Sequence, residues 1–414
     1  MAAIAPFRAL HYDLARTGGL ADVVAPPYDV IDPAERRALL ARSPHNVVEI
    51  DLPQADGDGD PYAHAADTLA GWVAGGVLVR DPEPALWALE QDYTGPDGRR
   101  RTRHAIFARV RVEDYGAGRI RPHERTHPGP KEDRLRLTRA TGANLSPIFS
   151  LYDGDAWPAV AGTAAGPPVD DVTDGDGTTH RLRRVGDPVA VAAAVDALAP
   201  AELLIADGHH RYETARVHAA ETGARDPHVL MALVSLRDPG LTIFPTHRLL
   251  TALDPAGRAA LRSAIERDWD VEEVTADELA PPPGDRVRIG YLDASDRRPL
   301  RLTLRDPVTA ERALPGHAAA YRRLDTAVVE ALLLEGALGM TEDDISHLRG
   351  LDYARSTAEA RERVLRGDVD AGLFMGATPV ELVREVAAAG EVMPPKSTYF
   401  FPKVLTGLVF NPLD

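Results

Sequence analysis

Leu203-Leu204-Ile205-Ala206-Asp207-Gly208-His209-His210-Arg211-Tyr212-Glu213-Thr214 is the stretch on which the reading of this chain turns. Four apolar residues predict a short buried strand, Gly208 supplies a tight turn, and the run to about Thr222 predicts a helix. Amides at a helix start are unpaired and the helix dipole favours negative charge there, so strand, turn and helix together make an anion site. Arg211 adds a guanidinium fork for phosphate oxygens, and His209 and His210 add charge-assisted donors. The plainer alternative is that Asp207 N-caps a helix whose histidines face water.

Working outward, Pro33 to Leu40 predicts a helix capped by Asp32, and Tyr62 to Ala74 and Lys131 to Thr141 predict two more. Strands are expected at Asn46 to Leu52, Ala85 to Asp92, Arg103 to Val112, Val229 to Leu236, Leu241 to Phe244, Val287 to Tyr291 and Leu300 to Leu304. Further helices are expected at Val189 to Leu198, Ala256 to Asp268, Ala320 to Leu334 and Ser356 to Leu365, and Gly162 to Gly177 reads as an exposed connection. Strands and helices do not alternate regularly, so the expected class is α+β, with mixed sheets and packed helices. Three regions are expected: 1–160, an N-terminal α+β region; 178–310, which carries the Asp-Gly-His-His-Arg unit; and 311–414, a helical region with a docked tail.

The chain has 414 residues and a net charge of −16, which argues against nucleic acid and anionic membrane surfaces as partners. Cysteine is absent, which excludes disulfides, thiolate metal sites and cysteine nucleophiles. No apolar run is long enough for a membrane helix, and the first residues lack the pattern of a secretory leader, so a cytoplasmic protein is expected. His209, His210 and His218 match no zinc spacing, and no Walker loop, dinucleotide fingerprint, nucleophile elbow or kinase signature is present.

Two more clusters carry chemistry. Arg121-Pro122-His123-Glu124-Arg125-Thr126-His127-Pro128-Gly129-Pro130-Lys131-Glu132-Asp133-Arg134 is a proline-stiffened loop that can hold His123 and Glu124 as acid/base groups and Lys131 as a phosphate contact; its alternative is a solvated charged loop. Met393-Pro394-Pro395-Lys396-Ser397-Thr398-Tyr399-Phe400-Phe401-Pro402-Lys403 is too aromatic for a frayed end. Lysine occurs only at 131, 396 and 403, against 44 arginines, and all three fall in these clusters, where a compact ammonium is called for. Weaker candidates are His247, which reads more readily as a core histidine, and Glu49 with Asp51.

The three clusters together resemble a bacterial and archaeal domain-of-unknown-function family whose members carry Ala-Asp-Gly-His-His-Arg. The likeness runs from Pro26-Pro27-Tyr28-Asp29 through Pro122-His123-Glu124, Gly129 to Arg134, Ala206 to Thr214 and Lys396 to Lys403, as far as Asn411-Pro412. The Asp-Gly-His-His-Arg unit is also similar to the phosphate-binding element of the ParB and sulfiredoxin-like superfamily, which includes free-serine kinases forming O-phosphoserine from a nucleotide. That resemblance implies that Asp207, Gly208, His209, His210 and Arg211 hold the phosphates of ATP or ADP, with Mg²⁺ on Asp207. By chemistry, Glu124 is then the preferred base, with Glu49 behind it, His123, Asp207 and His209 assist, and Lys131, Lys396, Ser397, Thr398 and Lys403 contact phosphate. The expected activity is a phosphotransferase acting on a small hydroxylated metabolite, serine first. The alternatives are a nucleotide-gated regulatory or adaptor protein closing as a homodimer, a phosphatase, and a phosphometabolite sensor.

Overall fold

Five helices among the described residues begin on the same dipeptide, Asp-Pro: Pro33–Arg42, Pro61–Ala74, Pro188–Leu198, Pro255–Asp268 and Pro307–Ala313. In each the aspartate side chain accepts a first-turn amide, as Asp32 does from Ala34 at 2.7 Å, and the proline fills a position whose N–H is not needed. The computed structural model describes residues 3–54, 59–95, 98–115, 119–123, 131–164, 166 and 168–414. It is an α+β protein that divides into two units, the first from the described parts of 3–122 and 131–241 with Pro402–Asp414, the second from His123 and Thr242–Phe401.

The first unit is built on a mixed nine-stranded sheet. Its order is Ile120–Pro122, Leu203–Asp207, Ile148–Tyr152, His228–Ser235, Arg100–Arg111, Leu86–Thr94, Thr179–Val185 and Asp170–Thr173, and Ile4–Ala5 also pairs with Arg100–Arg111. Leu203–Asp207 runs parallel to Ile120–Pro122 and antiparallel to Ile148–Tyr152. Alternate side chains such as Ile106, Ile148, Leu203, Ile205 and Met231 point to one face, where Tyr212, Val160 and Leu198 from three helices close the core. The strand Asn411–Pro412 pairs with Ala143–Asn144, so the last residues are docked in this unit.

The second unit holds a six-stranded antiparallel sheet in the order Trp269–Glu273, Leu300–Leu304, Arg288–Asp293, Ala371–Met375, His247–Leu250, Leu351–Ala354. One face packs Trp269, Ile289, Leu302 and Leu333, and the other packs Leu249 and Phe374 on Ala360 and Val364 of the helix Thr357–Arg366. Thr242–Phe244 and Tyr399–Phe401 form a separate antiparallel pair.

Three sequence expectations are corrected here. Asn46 to Leu52 is not a strand: Val48–Asp51 is a helical turn. The Asn46 side chain accepts from Val48 N at 3.2 Å and donates to the carbonyl of Asp22 at 2.9 Å, a local alternative that outweighs the strand preference of Val47, Val48 and Ile50. Gly162 to Gly177 is not only a connection, because Asp170–Thr173 pairs with Thr179–Val185 around a turn in which Asp174 accepts from the amides of Asp176 and Thr178. Ala320 to Leu334 breaks into a 3₁₀ turn, Tyr321–Arg323, an α-helix, Asp325–Val329, and a π-helical stretch, Glu330–Glu335. No described helix is long and apolar enough to cross a membrane.

Candidate functional site

The strand Leu203–Asp207 delivers Asp207 to the edge of the first unit's core, and the helix His209–Thr222 begins two residues later. Gly208 between them has φ +92°, a left-handed conformation that side chains resist. A Cβ at 208 would also stand 2.8 Å from Arg211 Nε and 3.0 Å from its Cζ, so glycine is required twice, for the turn and for the guanidinium folded back over it. Asp207 does not cap the helix. Its Oδ1 accepts from Gly208 N at 2.9 Å, and Gly208 takes the N-cap position and has no side chain to cap the helix, in contrast to the five Asp-Pro helices. His209 is buried in the first turn, and His210 and Arg211 are half-buried beside it.

Lys403 completes the cluster. Its Nζ lies 3.1 Å from Asp207 Oδ2, and Arg211 Nη2 lies 3.8 Å from the same oxygen. The backbone carbonyl of Lys403 accepts from Gln91 Nε2 at 2.9 Å, which ties the 402–414 segment to the strand Leu86–Thr94. Burial alone would push the Asp207 carboxyl up; Lys403 and then Arg211 overcome it and hold the group far below the usual carboxylate range. One ionised carboxylate therefore positions two cations at a helix N-terminus.

Behind Arg211 lies a second, denser polar layer. Arg211 Nη1 donates to the carbonyl of Pro147. Arg134 Nη1 donates to the Asp51 carbonyl at 2.7 Å and lies 3.3 Å from Asp51 Oδ1, and its guanidinium covers the Tyr28 ring at 4.3 Å. Ser146 Oγ donates to Asp51 Oδ2 at 3.2 Å. Burial raises the Asp51 carboxyl against the pull of Arg134 and Arg211, and burial pushes the Tyr28 phenol up to about 12 despite Arg211. Ser146 carried no role in the sequence reading; its signal was the polar pair Asn144 and Ser146 placed between a helix and a core strand. Tyr28 and Arg134 stand in the family-like motifs with no role of their own, and Asp51 is a weak candidate.

The other predicted residues fall in different places. Glu124 lies outside the described residues, and Lys131 opens the helix Lys131–Thr141 with its side chain outside them. Glu49 is held by His64 Nε2 at 2.7 Å and Arg36 Nη2 at 3.6 Å. In the second unit, His123 Nε2 meets Thr398 Oγ1 at 2.6 Å, and the His123 carbonyl accepts from Met393 N at 2.9 Å. Ser397 is buried; its hydroxyl donates to the Pro394 carbonyl at 2.7 Å and meets Thr326 Oγ1 at 2.9 Å. Lys396 has φ +56° and its carbonyl accepts from Arg248 Nη1 at 3.2 Å. The second and third clusters thus meet at His123 and Thr398, the first and third at Asp207 and Lys403. His247 is a core histidine: Met375 N donates to its Nδ1 at 3.1 Å, which fixes the neutral ring, and burial lowers its pKa to about 4.

Magnesium on Asp207 does not fit these residues. The carboxylate is taken up by Lys403 and Arg211, and no group of three or more metal-ligating side chains occurs among the described residues.

Among solved structures the chain is similar to a free serine kinase in complex with AMP, at 14% identity over 72% of this chain and 86% of that one, with a TM-score of 0.37. It is similar to a conserved hypothetical protein from Pyrococcus furiosus at 14% identity, over 72% of this chain and 90% of that one, with a TM-score of 0.37. A C-terminally truncated SbnI from Staphylococcus aureus shares 12% identity over 74% of this chain and 87% of that one, at a TM-score of 0.36. No curated protein matches the chain. The model of the DUF1015 family, described as a protein of unknown function, matches residues 4–327, and the chain belongs to that family.

Proposed function

We propose that the chain is a nucleotide-dependent phosphotransferase whose acceptor is a small hydroxylated metabolite, with free serine as the first acceptor to test. The observation that supports this reading most directly is the Asp207–Lys403 pair beside Arg211 at the start of a helix whose N-cap is Gly208. Phosphoryl transfer asks a protein for positioned positive charge more than for covalent chemistry. Lys403 and Arg211 supply that charge, already oriented by one carboxylate, so little reorganisation is needed as charge grows on the phosphoryl oxygens. Amides of the first helical turn, with His209 and His210, cradle the phosphates of ATP or ADP.

In the transfer step the acceptor hydroxyl oxygen forms a bond to the terminal phosphorus while the bond from phosphorus to the bridging oxygen breaks. The electron pair leaves with the nucleotide, and the hydroxyl proton passes to a general base, the role for which the sequence offers Glu124. The reading rests on the first unit; Ser397 and Thr398, whose hydroxyls are engaged inside the second unit, are given no phosphate.

The test is a ³¹P NMR time course with the full chain, ATP or ADP, Mg²⁺ in the buffer and a pool of small hydroxy amino acids. A new phosphomonoester resonance that Arg211→Ala lacks is the expected result. Intact nucleotide with every acceptor, while nucleotide binding persists by calorimetry, overturns the reading in favour of a regulatory protein or sensor.

A further inference from the structure

Gln91, in the strand Leu86–Thr94, has Arg103 and His180 as its direct cross-strand neighbours in Arg100–Arg111 and Thr179–Val185. All three side chains are buried, and strand alternation turns them to the face of the first unit's sheet opposite to Ala88 and Ile106. Burial pulls the Arg103 guanidinium down to about 10, and a buried polar row of this kind is costly unless its hydrogen bonds are made. Every hydrogen-bonding position of the Gln91 amide is used. Its Oε1 accepts from Arg103 Nε at 3.0 Å and from Arg103 Nη2, while its Nε2 donates to the Lys403 carbonyl at 2.9 Å and meets His180 Nδ1 at 3.1 Å. Two guanidinium donors on the oxygen fix which way the amide faces. His180 Nδ1 is therefore the acceptor, and its Nε2 carries the proton that it gives to Asp174 Oδ2 at 2.8 Å. Asp174 is held in turn by the amides of Asp176 and Thr178.

One bond of this row leaves the sheet, and it goes to the residue whose ammonium stands 3.1 Å from Asp207 Oδ2. Pro402, just before Lys403, has no N–H to donate. The chain is next pinned at Thr406, which exchanges two backbone hydrogen bonds with Ala25 and meets Ser146 Oγ at 3.0 Å. A lysine carries its charge on a flexible four-carbon stem, so the place of the ammonium depends on where the backbone at its root is held. The carbonyl fixed by Gln91 is that root.

We infer that Gln91 is the positioning residue of Lys403, its amide oriented by Arg103 and His180 and its Nε2 holding the backbone from which the ammonium reaches Asp207. In this role it acts through Lys403 and is not a catalytic residue. The inference rests on the phosphotransfer reading only for the use made of Lys403; the placement of the ammonium is measured without nucleotide.

The chain has lysine only at 131, 396 and 403, so ¹³C-lysine labelling of the full chain gives three sets of side-chain resonances, assigned with Lys131→Arg and Lys396→Arg. In the native background Asp207→Asn is expected to move the Lys403 Cε resonances and to leave the other two in place. Gln91→Glu keeps an acceptor for Arg103 but has no N–H for the Lys403 carbonyl, and is expected to cut that response by about half or more. Gln91→Asn, which keeps the amide on a stem too short to reach, is expected to do the same and carries the comparison if Gln91→Glu fails to fold, as judged by thermal melting. A residue that only stabilises the sheet lowers Tm without changing the coupling of Lys403 to Asp207. A folded variant in which Asp207→Asn moves Lys403 as far as in the native background overturns the inference. In the ³¹P assay the same variants are expected to lower kcat by about tenfold or more with little change in the nucleotide KM, as for a group that acts in the transition state. Loss of the coupling with kcat intact overturns the role in transfer. If the native chain transfers no phosphoryl group, the phosphotransfer reading fails and the NMR comparison alone decides the placement.

Discussion

Two polar clusters draw on the segment 393–403, one in each unit, and they use their polar groups in opposite ways. In the first unit Lys403 and Arg211 bracket a single ionised carboxylate at a helix start whose N-cap is a glycine. In the second, Ser397, Thr398 and the carbonyls of Pro395 and Lys396 are tied down by Thr326, His123 and Arg248, with hydrogen bonds that run chiefly to backbone carbonyls and hydroxyls. The first cluster gathers charged groups around one carboxylate, whereas the second, whose donors and acceptors are mutually satisfied, holds the chain in place. Scarcity of lysine marks both stretches equally, so residue type alone does not separate them; the partners do.

The largest expected effect breaks the comparison directly. On the proposed phosphoryl transfer, Arg211→Ala and Lys403→Ala are each expected to lower the rate by 100-fold or more, the scale seen when one group facing developing charge is removed. Ser397→Ala changes kcat/KM less than threefold and instead costs about 1 to 2 kcal/mol of stability, read from a denaturant midpoint. Equal losses of activity in the two clusters would erase the distinction. Gly208→Ala comes next: the positive φ and the Cβ placed against the Arg211 guanidinium predict a drop in transfer of at least tenfold with a lowered Tm, while Gly223→Ala at the other end of the same helix, also at positive φ but with open space around it, lowers Tm alone.

The units also titrate differently. In the second, burial lowers His247 to about 4 and raises Asp325 to about 7. The unfolded histidine binds a proton that the folded one refuses, so its contribution to stability is complete above about pH 6.5 and lost on acidification towards pH 4. The folded aspartic acid keeps a proton that the unfolded one releases, so its contribution is gained over nearly the same interval, from about pH 7 down to about pH 4. Each amounts to roughly 3 to 4 kcal/mol, and they oppose one another. Hydrogen exchange of the strands His247–Leu250 and Ala371–Met375 should therefore vary little from pH 7 to 4 once intrinsic rates are removed, and Asp325→Asn should expose the acid loss due to His247. The remaining titration is in the first unit. Asp207 is held far below the ordinary carboxylate range, so its stabilisation is present above about pH 4 and fades as pH falls through its folded value, and the Tm difference between the native chain and Asp207→Asn should narrow below pH 4.

Much of the local architecture was legible in the chain because its causes are local. Asp32 and Pro33 announce a helix start, and an apolar run followed by Asp207-Gly208 announces a strand, a turn and a helix. The helical turn at Val48–Asp51 was hidden because an asparagine side chain decided it against β-branched neighbours. Ala371–Met375, a central strand of the second sheet, is a short apolar run whose place depends on partners far away in sequence, Arg288–Asp293 and His247–Leu250. The site divides in the same way. Gly208 and Arg211 were readable from their spacing, while the pairing of Asp207 with Lys403 and of Asp51 with Arg134 joins residues that no periodicity connects.

That pairing has a consequence in time. Asp207 and Lys403 are separated by 196 positions, and almost the whole second unit is encoded between them. At a synthesis rate of roughly 5 to 20 residues per second, the carboxylate waits on the order of 10 to 40 seconds after leaving the peptidyl-transferase centre before its lysine is made. During that interval Arg211 is its only cation within 4 Å among the described residues, and the sheet of the first unit must hold the turn open for a charge still to come. A nascent chain stalled anywhere from 242 to 402 thus carries the Asp-Gly-His-His-Arg turn without its ammonium.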